Sequence, residues 1–263
     1  MSDFLQGMAK SSAARAAQAP SFTSADFDKP VVPLEPGPFG VIAEIKRRSP
    51  AEGLLDPAAE IGTSYLISRA RAYAAGGAAA ISVLTEPSRF DGELAHLEDV
   101  AAALPDTPVM RKDFLVDPVQ VLEARKAGAS GVLLIAAMLD DAKLRTMLDC
   151  AWEHGMFVLL ESFDEEDLRR SAPFLDGGGQ LLIGVNTRNL RTLEVDADRL
   201  RNLAPKLPEA ICVAESGLHE PEDAARVARW GYSMALVGTA LMRSDDPTEL
   251  VAGMTSAGAA ACS

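Results

Sequence analysis

Eight short apolar runs, separated by segments long enough for helices, constrain this chain more than any other feature. The runs are rich in Val, Ile and Leu, which is typical of strands buried in a parallel sheet. They lie at residues 41–45, 80–84, 109–110, 132–135, 157–160, 181–185, 211–214 and 234–237. Helical patterns fill the intervals at residues 64–75, 118–127, 140–154, 165–172 and 221–230. The alternation predicts βαβ units and a parallel sheet.

The number of repeats distinguishes between the two common parallel architectures. Eight strand–helix repeats fit a (βα)₈ TIM barrel, which typically takes about 250 residues. A doubly wound sheet has similar local patterns, but it more usually has fewer strands and a Gly-rich first turn. No G-x-G-x-x-G follows the first run. We therefore predict one (βα)₈ TIM barrel domain over residues 39–263 of the chain.

The first 38 residues differ in character and predict an N-terminal helical extension, made of one helix and a Pro-rich linker. Phe4, Leu5 and Met8 have helical spacing within residues 3–19, with Asp3 as the predicted N-cap, and Pro20 ends the pattern. Four further prolines between residues 30 and 38 hold an extended approach to the first strand. The helix either packs over a barrel opening or forms a loosely held tail, and both arrangements fit the pattern.

Composition and charge restrict the expected partners. The formal net charge is −13, so a basic face for nucleic acid or for an acidic membrane is not expected. The three cysteines are scattered and form no C-x-x-C, which predicts a reducing compartment and no metal framework. No apolar stretch has membrane length and no signal-peptide core is present, so we expect a cytoplasmic protein. Many barrels of this kind are monomeric, but the sequence leaves the oligomeric state open between a monomer and a larger assembly.

Two opposite charges, Glu44 and Lys46, mark the end of the first run. Residues two apart in a strand point to the same face, so these side chains project together. Burying a carboxylate beside an ammonium costs desolvation free energy, which favours a role in chemistry. A surface ion pair on a half-exposed strand has the same pattern.

Polar residues also follow five other runs. These segments are Arg-Lys-Asp-Phe at 111–114, Glu161-Ser162, Asn-Thr-Arg-Asn at 186–189, Glu-Ser-Gly at 215–217 and Gly238-Thr239. The C-terminal strand ends of a (βα)₈ barrel meet at one face, where active sites lie in this fold. Each residue alone fits a solvated strand end or a helix cap. Together the six ends predict one polar site.

The last two strand ends predict a phosphate site. Loops after the seventh and eighth strands of this fold commonly bind phosphate through backbone N–H groups. Gly217 and Gly238 let the backbone approach an anion closely, and Thr239 adds a hydroxyl. Turn geometry alone also favours glycine at these positions. Their placement at both expected loops predicts a phosphorylated small molecule as substrate.

The same segments resemble a known family. The sequence has Glu-Ile-Lys-Arg-Arg-Ser-Pro at 44–50, Ser-Val-Leu-Thr-Glu at 82–86, Phe-Asp-Gly at 90–92 and Arg-Lys-Asp-Phe at 111–114. It continues with Leu160-Glu161, Gly-Val-Asn-Thr-Arg-Asn-Leu at 184–190, Val-Ala-Glu-Ser-Gly at 213–217 and Val-Gly-Thr-Ala-Leu-Met at 237–242. In this order they resemble indole-3-glycerol-phosphate synthase, a (βα)₈ enzyme of tryptophan biosynthesis. The resemblance covers residues 40–242.

The resemblance implies ring closure of 1-(2-carboxyphenylamino)-1-deoxyribulose 5-phosphate to indole-3-glycerol phosphate, with loss of CO₂ and water. It implies no metal and no organic cofactor. The implied catalytic residues are Lys112 as general acid, Glu161 as base, Lys46, Glu44, Asn186, Glu215 and Arg188. Implied phosphate-binding residues are Ser49, Ser216, Gly217, Gly238 and Thr239, and the implied ring pocket has Pro50, Phe90, Phe114 and Leu190.

Three positions depart from the family pattern. Ala51 and Glu93 stand where a hydroxyl residue is usual, and Thr239 stands where Ser is commoner. Losing one neutral hydrogen bond costs about 1 kcal/mol, which weakens binding more readily than it abolishes activity. Two alternatives stay open at this point: a paralogous phosphosugar lyase or isomerase with another substrate, and a non-catalytic barrel that binds a phosphate ligand.

Overall fold

Eight parallel strands close into a barrel in the order of the sequence, as the sequence predicts for a (βα)₈ TIM barrel. This computed structural model describes residues 3–49, 53–55, 62–191 and 194–262. The strands are β1 (Gly40–Ile45), β2 (Ala80–Leu84), β3 (Val109–Lys112), β4 (Gly131–Ile135), β5 (Phe157–Ser162), β6 (Leu181–Asn186), β7 (Ile211–Glu215) and β8 (Met234–Val237). Each strand pairs with the next, and β8 pairs with β1 to close the ring.

Helices occupy the intervals between the strands and surround the barrel. They are α1 (Asp3–Ala16), α2 (Thr63–Ala75), α3 (Pro87–Phe90), α4 (Leu94–Ala103), α5 (Pro118–Ala127), α6 (Asp141–Glu153), α7 (Glu165–Ser171), α8 (Arg199–Leu203), α9 (Pro221–Arg229), α10 (Thr239–Arg243) and α11 (Pro247–Ala261). Each of the five predicted barrel helices is present, with ends within one residue of the prediction. In the described part of the chain, no helix is long and apolar enough to cross a membrane.

Burial is nearly complete along the strands. Every residue of β1, β2, β4, β5, β6 and β8 is buried, because one face points into the barrel and the other packs beneath helices. Four strands extend beyond their apolar runs, to Lys112, Ser162, Asn186 and Glu215. Polar residues are therefore the last residues of strands, fixed by the sheet hydrogen bonds and held in a buried environment.

The N-terminal helix α1 is packed against the barrel. Leu5 is fully buried, and the ring of Phe4 meets that of Phe114 edge-on at 5.8 Å between centroids. Near its other end, Arg15 donates two hydrogen bonds to the Asp113 carboxylate, at 2.7 and 2.8 Å. Of the two arrangements that fit the sequence, the structure has the packed helix. It ends at Ala16, before the predicted end at residue 19.

Candidate active site

A cavity of about 830 Å³ lies at the C-terminal ends of the strands. Predicted site residues from the ends of seven strands and the segments beyond them line it: Glu44, Lys46, Phe90, Lys112, Phe114, Glu161, Asn186, Arg188, Leu190, Glu215, Ser216, Gly217, Gly238 and Thr239. Ser49 belongs to a short strand pair, Arg48–Ser49 with Gly53–Leu54, and its side chain is outside the description. Pro50 and Ala51 also lie outside the described residues.

One carboxylate joins the two lysines. Glu44 Oε2 lies 2.7 Å from Lys46 Nζ, and Glu44 Oε1 lies 3.0 Å from Lys112 Nζ. The Glu44 side chain is only 3% exposed, so this is a buried charge cluster and the surface ion pair is wrong. Burial acts to raise the pKa of Glu44, but the two ammonium groups outweigh it and hold that pKa at about 2. Glu44 is therefore ionised throughout the physiological range.

The carboxylates around Lys112 decide its protonation. Burial acts to lower the pKa of this lysine, whereas Glu44, Glu161 and Glu215 act to raise it. The combined effect of the three glutamates is larger than the effect of burial, so the pKa of Lys112 lies above its ordinary value. Lys112 therefore carries a proton before substrate binds, which a general acid requires.

A second carboxyl pair, Glu161 and Glu215, lies beside this cluster. Both residues are 1% exposed. Burial raises the pKa of Glu161, although Lys112 and a hydrogen bond from the Asn186 side chain act to lower it. Burial and the neighbouring Glu161 raise the pKa of Glu215 well above its ordinary value. The site thus combines an ionised carboxylate with carboxyl groups that retain protons more strongly.

Two glycines, one in β6 and one directly after β8, make room for the carboxyls of Glu215 and Glu44. A Cβ on Gly184 of β6 would lie 2.0 Å from Glu215 Oε1. A Cβ on Gly238 would lie 2.1 Å from Glu44 Oε2 and 2.9 Å from Lys46 Nζ. Neither contact is sterically allowed. The sequence suggested Gly238 as a close approach for phosphate, and the structure shows that it also leaves space for the Glu44–Lys46 pair.

Comparison with known proteins decides the family. The family model described as "Indole-3-glycerol phosphate synthase" matches residues 10–254. A Nocardioides protein of that name is 48% identical over 239 residues, which cover 88% of this chain and 86% of the relative. A Mycobacterium leprae protein of the same name is 44% identical over 246 residues, covering 93% and 85% of the two chains. The chain belongs to the indole-3-glycerol phosphate synthase family.

Solved structures add only the fold. The 3-hexulose-6-phosphate synthase from Salmonella typhimurium superposes with a TM-score of 0.62 at 15% identity. The match covers 85% of this chain and 100% of that one. This chain therefore has the same barrel fold as that protein. Such low identity carries no information about the side chains of the site.

In this member of the synthase family, the loops after β7 and β8 form one side of the cavity. Ser216 has a left-handed backbone with φ of 69°, and Gly217 follows with φ of 73°. Two consecutive residues of positive φ are uncommon, and for a serine this conformation is strained. Such a turn exposes backbone N–H groups, as anion-binding turns do. Thr239 begins helix α10 on the neighbouring loop.

Aromatic side chains form the other side. The rings of Phe90 and Phe114 lie 6.1 Å apart between centroids, and Leu190 lines the same cavity. Phe4 completes this wall from helix α1. The sequence reasoning missed Phe4, because nothing in a helical pattern shows which barrel opening the helix covers.

Two charged residues next to the site were also missed. Asp113 is fully buried and accepts hydrogen bonds from Arg15, Arg111 and Thr85. Burial acts to raise its pKa, but these partners outweigh it and hold the pKa at about 2. Arg191 pairs with Asp164 and with the fully buried Asp167, each at 2.5 Å. The signal was their position, one residue beyond the recognised Lys112 and Leu190.

The departure at Glu93 is outside the cavity. Glu93 is exposed, it precedes helix α4 as its N-cap, and it is absent from the described lining. Its negative charge therefore does not face the ligand space in this structure. Among the described residues, no group of three or more His, Cys, Asp or Glu side chains has the arrangement to hold a metal ion.

Proposed function

We propose that this protein converts 1-(2-carboxyphenylamino)-1-deoxyribulose 5-phosphate to indole-3-glycerol phosphate, CO₂ and water. The observation that carries the proposal is the buried cluster in which Glu44 binds both lysines at 2.7 and 3.0 Å, inside a cavity that also holds Glu161. Family membership and the relatives' names support the same reaction. The enzyme is a carboxy-lyase of tryptophan biosynthesis.

The two sides of the cavity suit the two ends of the substrate. We assign the phosphate to the loops that hold Ser216, Gly217, Gly238 and Thr239, where backbone N–H groups and a hydroxyl are available. The carboxyphenyl ring belongs at the apolar wall of Phe90, Phe114 and Leu190. On the basis of the sequence, we also assign Ser49 to the phosphate end of the substrate and Pro50 to the ring end.

Ring closure needs a general acid, because attack by the aromatic carbon turns the ketone oxygen into an oxyanion. We assign this role to Lys112, which is protonated and 18% exposed at its side chain. Lys46 binds substrate beside it and takes part in the dehydration. Glu44 acts through both lysines by holding their ammonium groups in place.

The later step removes a proton from carbon and expels the hydroxyl as water, so it needs a base. We assign Glu161 as this base, since it lies at the end of β5 in the cavity wall. Asn186 bonds the substrate hydroxyls or the ketone oxygen. Arg188 and Glu215 complete the site at its rim and its floor.

The two alternatives left open by the sequence are not favoured. A ligand-binding barrel needs no acid and base held in a buried cluster, and family membership speaks against a paralogue with another reaction. The proposed working unit is a monomer, because many barrels of this kind are monomeric. The net charge of −13 and the unpaired cysteines support a cytoplasmic enzyme without a nucleic-acid partner.

The direct test follows indole fluorescence after mixing the protein with the carboxyphenylamino-deoxyribulose phosphate. We expect turnover by the wild type. Lys112→Ala should lower kcat by about 10²-fold or more, the usual contribution of a general acid. Lys126→Ala is the matched control, because this lysine is 52% exposed and pairs with Asp26 far from the cavity, and it should keep wild-type kcat. Near-normal turnover by Lys112→Ala would refute the assigned acid.

A further inference from the structure

Glu161 and Glu215 are brought together by a glycine. In the sheet register, Glu161 lies opposite Gly184, and the Glu215 carboxyl occupies the space that a side chain at Gly184 would fill. Without a Cβ there, the two carboxyls meet across β6 and lie within hydrogen-bonding reach of each other. The strand between them is therefore shaped for their contact.

The described residues provide too few donors for two ionised carboxylates. Among the described residues, neither oxygen of Glu215 has a hydrogen-bond partner, and Glu161 Oε1 has none either. Both lysines are bound to Glu44, and the described donor near Glu161 is the Asn186 amide. A buried carboxylate without a donor is costly. One proton between the two groups supplies the missing donor.

The balance of buried charges also predicts one proton on the Glu161–Glu215 pair. Lys46 and Lys112 are cations, and Glu44 balances one of them. Two ionised glutamates would leave this buried end with an excess negative charge beside an anionic substrate. One shared proton makes the cluster of five residues neutral. Two carboxyls in contact commonly hold one proton for this reason.

We propose that Glu161 and Glu215 share one proton in the substrate-free enzyme, and that this pair is the proton store of the reaction. The inference rests on the proposed function for the use of that proton. It goes beyond assigning Glu161 as a base, because it gives Glu215 a role of its own and makes the two groups one titrating unit.

The reaction has a use for a stored proton. Ring closure joins the ring carbon to the ketone carbon and places one proton on the ketone oxygen. CO₂ then leaves from that ring carbon, and its bonding electrons restore the aromatic ring. The hydroxyl leaves as water with a second proton, while the neighbouring carbon loses one proton. Two protons are taken up and one is returned, so each turnover consumes one.

The glutamate pair both accepts a proton and supplies a proton during the reaction. Its unprotonated oxygen accepts the proton from carbon at Glu161, and its stored proton replaces the one that Lys112 gives to the ketone oxygen. Lys112 is within electrostatic reach of both glutamates. Lys46 gives the second proton to the departing hydroxyl, and solvent returns this one proton to Lys46 when product leaves. Glu44 and Lys112 are the charged groups that face the pair, and Asn186 is its neutral neighbour.

Infrared difference spectra between the wild type and each variant test the shared proton without turnover. At neutral pH, the C=O stretch of one protonated carboxyl should be present in the wild type and absent in Glu215→Gln. The same band should be absent in Glu161→Gln, because Glu215 then no longer has Glu161 as a neighbour and ionises beside Lys112. Loss of one band in both single variants is the signature of sharing. Glu165→Gln, at a glutamate 63% exposed, is the matched control and should keep the band.

Two results would overturn the proposal. If the wild type lacks the band, both carboxyls are ionised. If Glu161→Gln retains it, Glu215 holds its proton through burial alone and nothing is shared. Gln is isosteric with Glu, and circular dichroism checks the fold of each variant. A wild-type band without turnover would contradict the proposed function and leave the shared proton standing.

Discussion

At the scale of single residues, the site depends on what is absent as much as on what is present. Gly184 and Gly238 each leave the space in which a neighbouring carboxyl sits, with would-be Cβ contacts of 2.0 and 2.1 Å. Sequence motifs predicted the charged residues, because the chemistry needs those side chains. They did not predict this use of glycine, because which strand end approaches a glycine depends on barrel register.

Replacing Gly184 with alanine tests this steric role. The new methyl group must displace the Glu215 carboxyl, so we expect kcat to fall by about 10-fold or more with the barrel intact, as a 1 Å misplacement in an active site can cost about 10²-fold. Steady-state kinetics and circular dichroism measure the two effects. Gly7→Ala is the matched control: Gly7 lies in α1 with nothing within 4 Å of its would-be Cβ, and alanine there should keep kcat. Equal kcat for Gly184→Ala and wild type would contradict the steric role.

At the scale of elements, the alternation of apolar runs and helical segments was sufficient to predict the barrel. The ends of strands were harder, because Lys112, Glu161, Asn186 and Glu215 are polar and yet belong to strands β3, β5, β6 and β7. The hydrophobic pattern therefore stops before the polar site residues, although the strands continue through them. The position of α1 was also undetermined, since its contacts with Phe114 and Asp113 depend on tertiary structure.

The loop after β6 is fixed by an ion-pair contact that no periodicity could predict. Arg191 follows Leu190 directly, and it ties this loop to the segment after β5 through Asp164 and Asp167. Asp167 also accepts a hydrogen bond from the Phe163 N–H at 3.0 Å. Arg191 is therefore a positioning residue for Arg188 and Leu190, which line the cavity.

Arg191→Met removes this tie while keeping a long side chain. We expect KM to rise several-fold with a smaller change in kcat, because the loop carries substrate contacts and no acid or base. Leaving Asp167 without its partner should also lower the free energy of unfolding by about 1–3 kcal/mol. In Arg191→Lys, KM should lie between the values of the wild type and of Arg191→Met. Arg169→Met, which breaks only an exposed pair with Glu166, is the control and should leave KM unchanged. A wild-type KM in Arg191→Met would refute the positioning role.

At the scale of the whole molecule, the buried carboxyls act on stability in opposite directions. Glu44 and Asp113 have pKa values held at about 2, below their ordinary values. They stabilise the fold at neutral pH, and that stability is lost as pH falls toward 2. Glu215 has the opposite shift. Its unfolded form ionises above about pH 4.5 while its folded form retains the proton, so it lowers stability as pH rises.

Glu215→Gln should therefore make the protein more stable while making it a poorer enzyme. The amide removes a group whose ionisation the fold opposes, and active sites commonly sacrifice stability in this way. For a protein of this size, each kcal/mol gained raises Tm by about 2–4 °C. Differential scanning calorimetry at several pH values should find almost no gain near pH 4, where Glu215 is protonated in both states, and a growing gain toward neutral pH. The contributions of Glu44 and Asp113 are present in both proteins and cancel in the difference. A gain independent of pH would place its cause in packing, and a loss at neutral pH would show that the Glu215 carboxyl stabilises the fold.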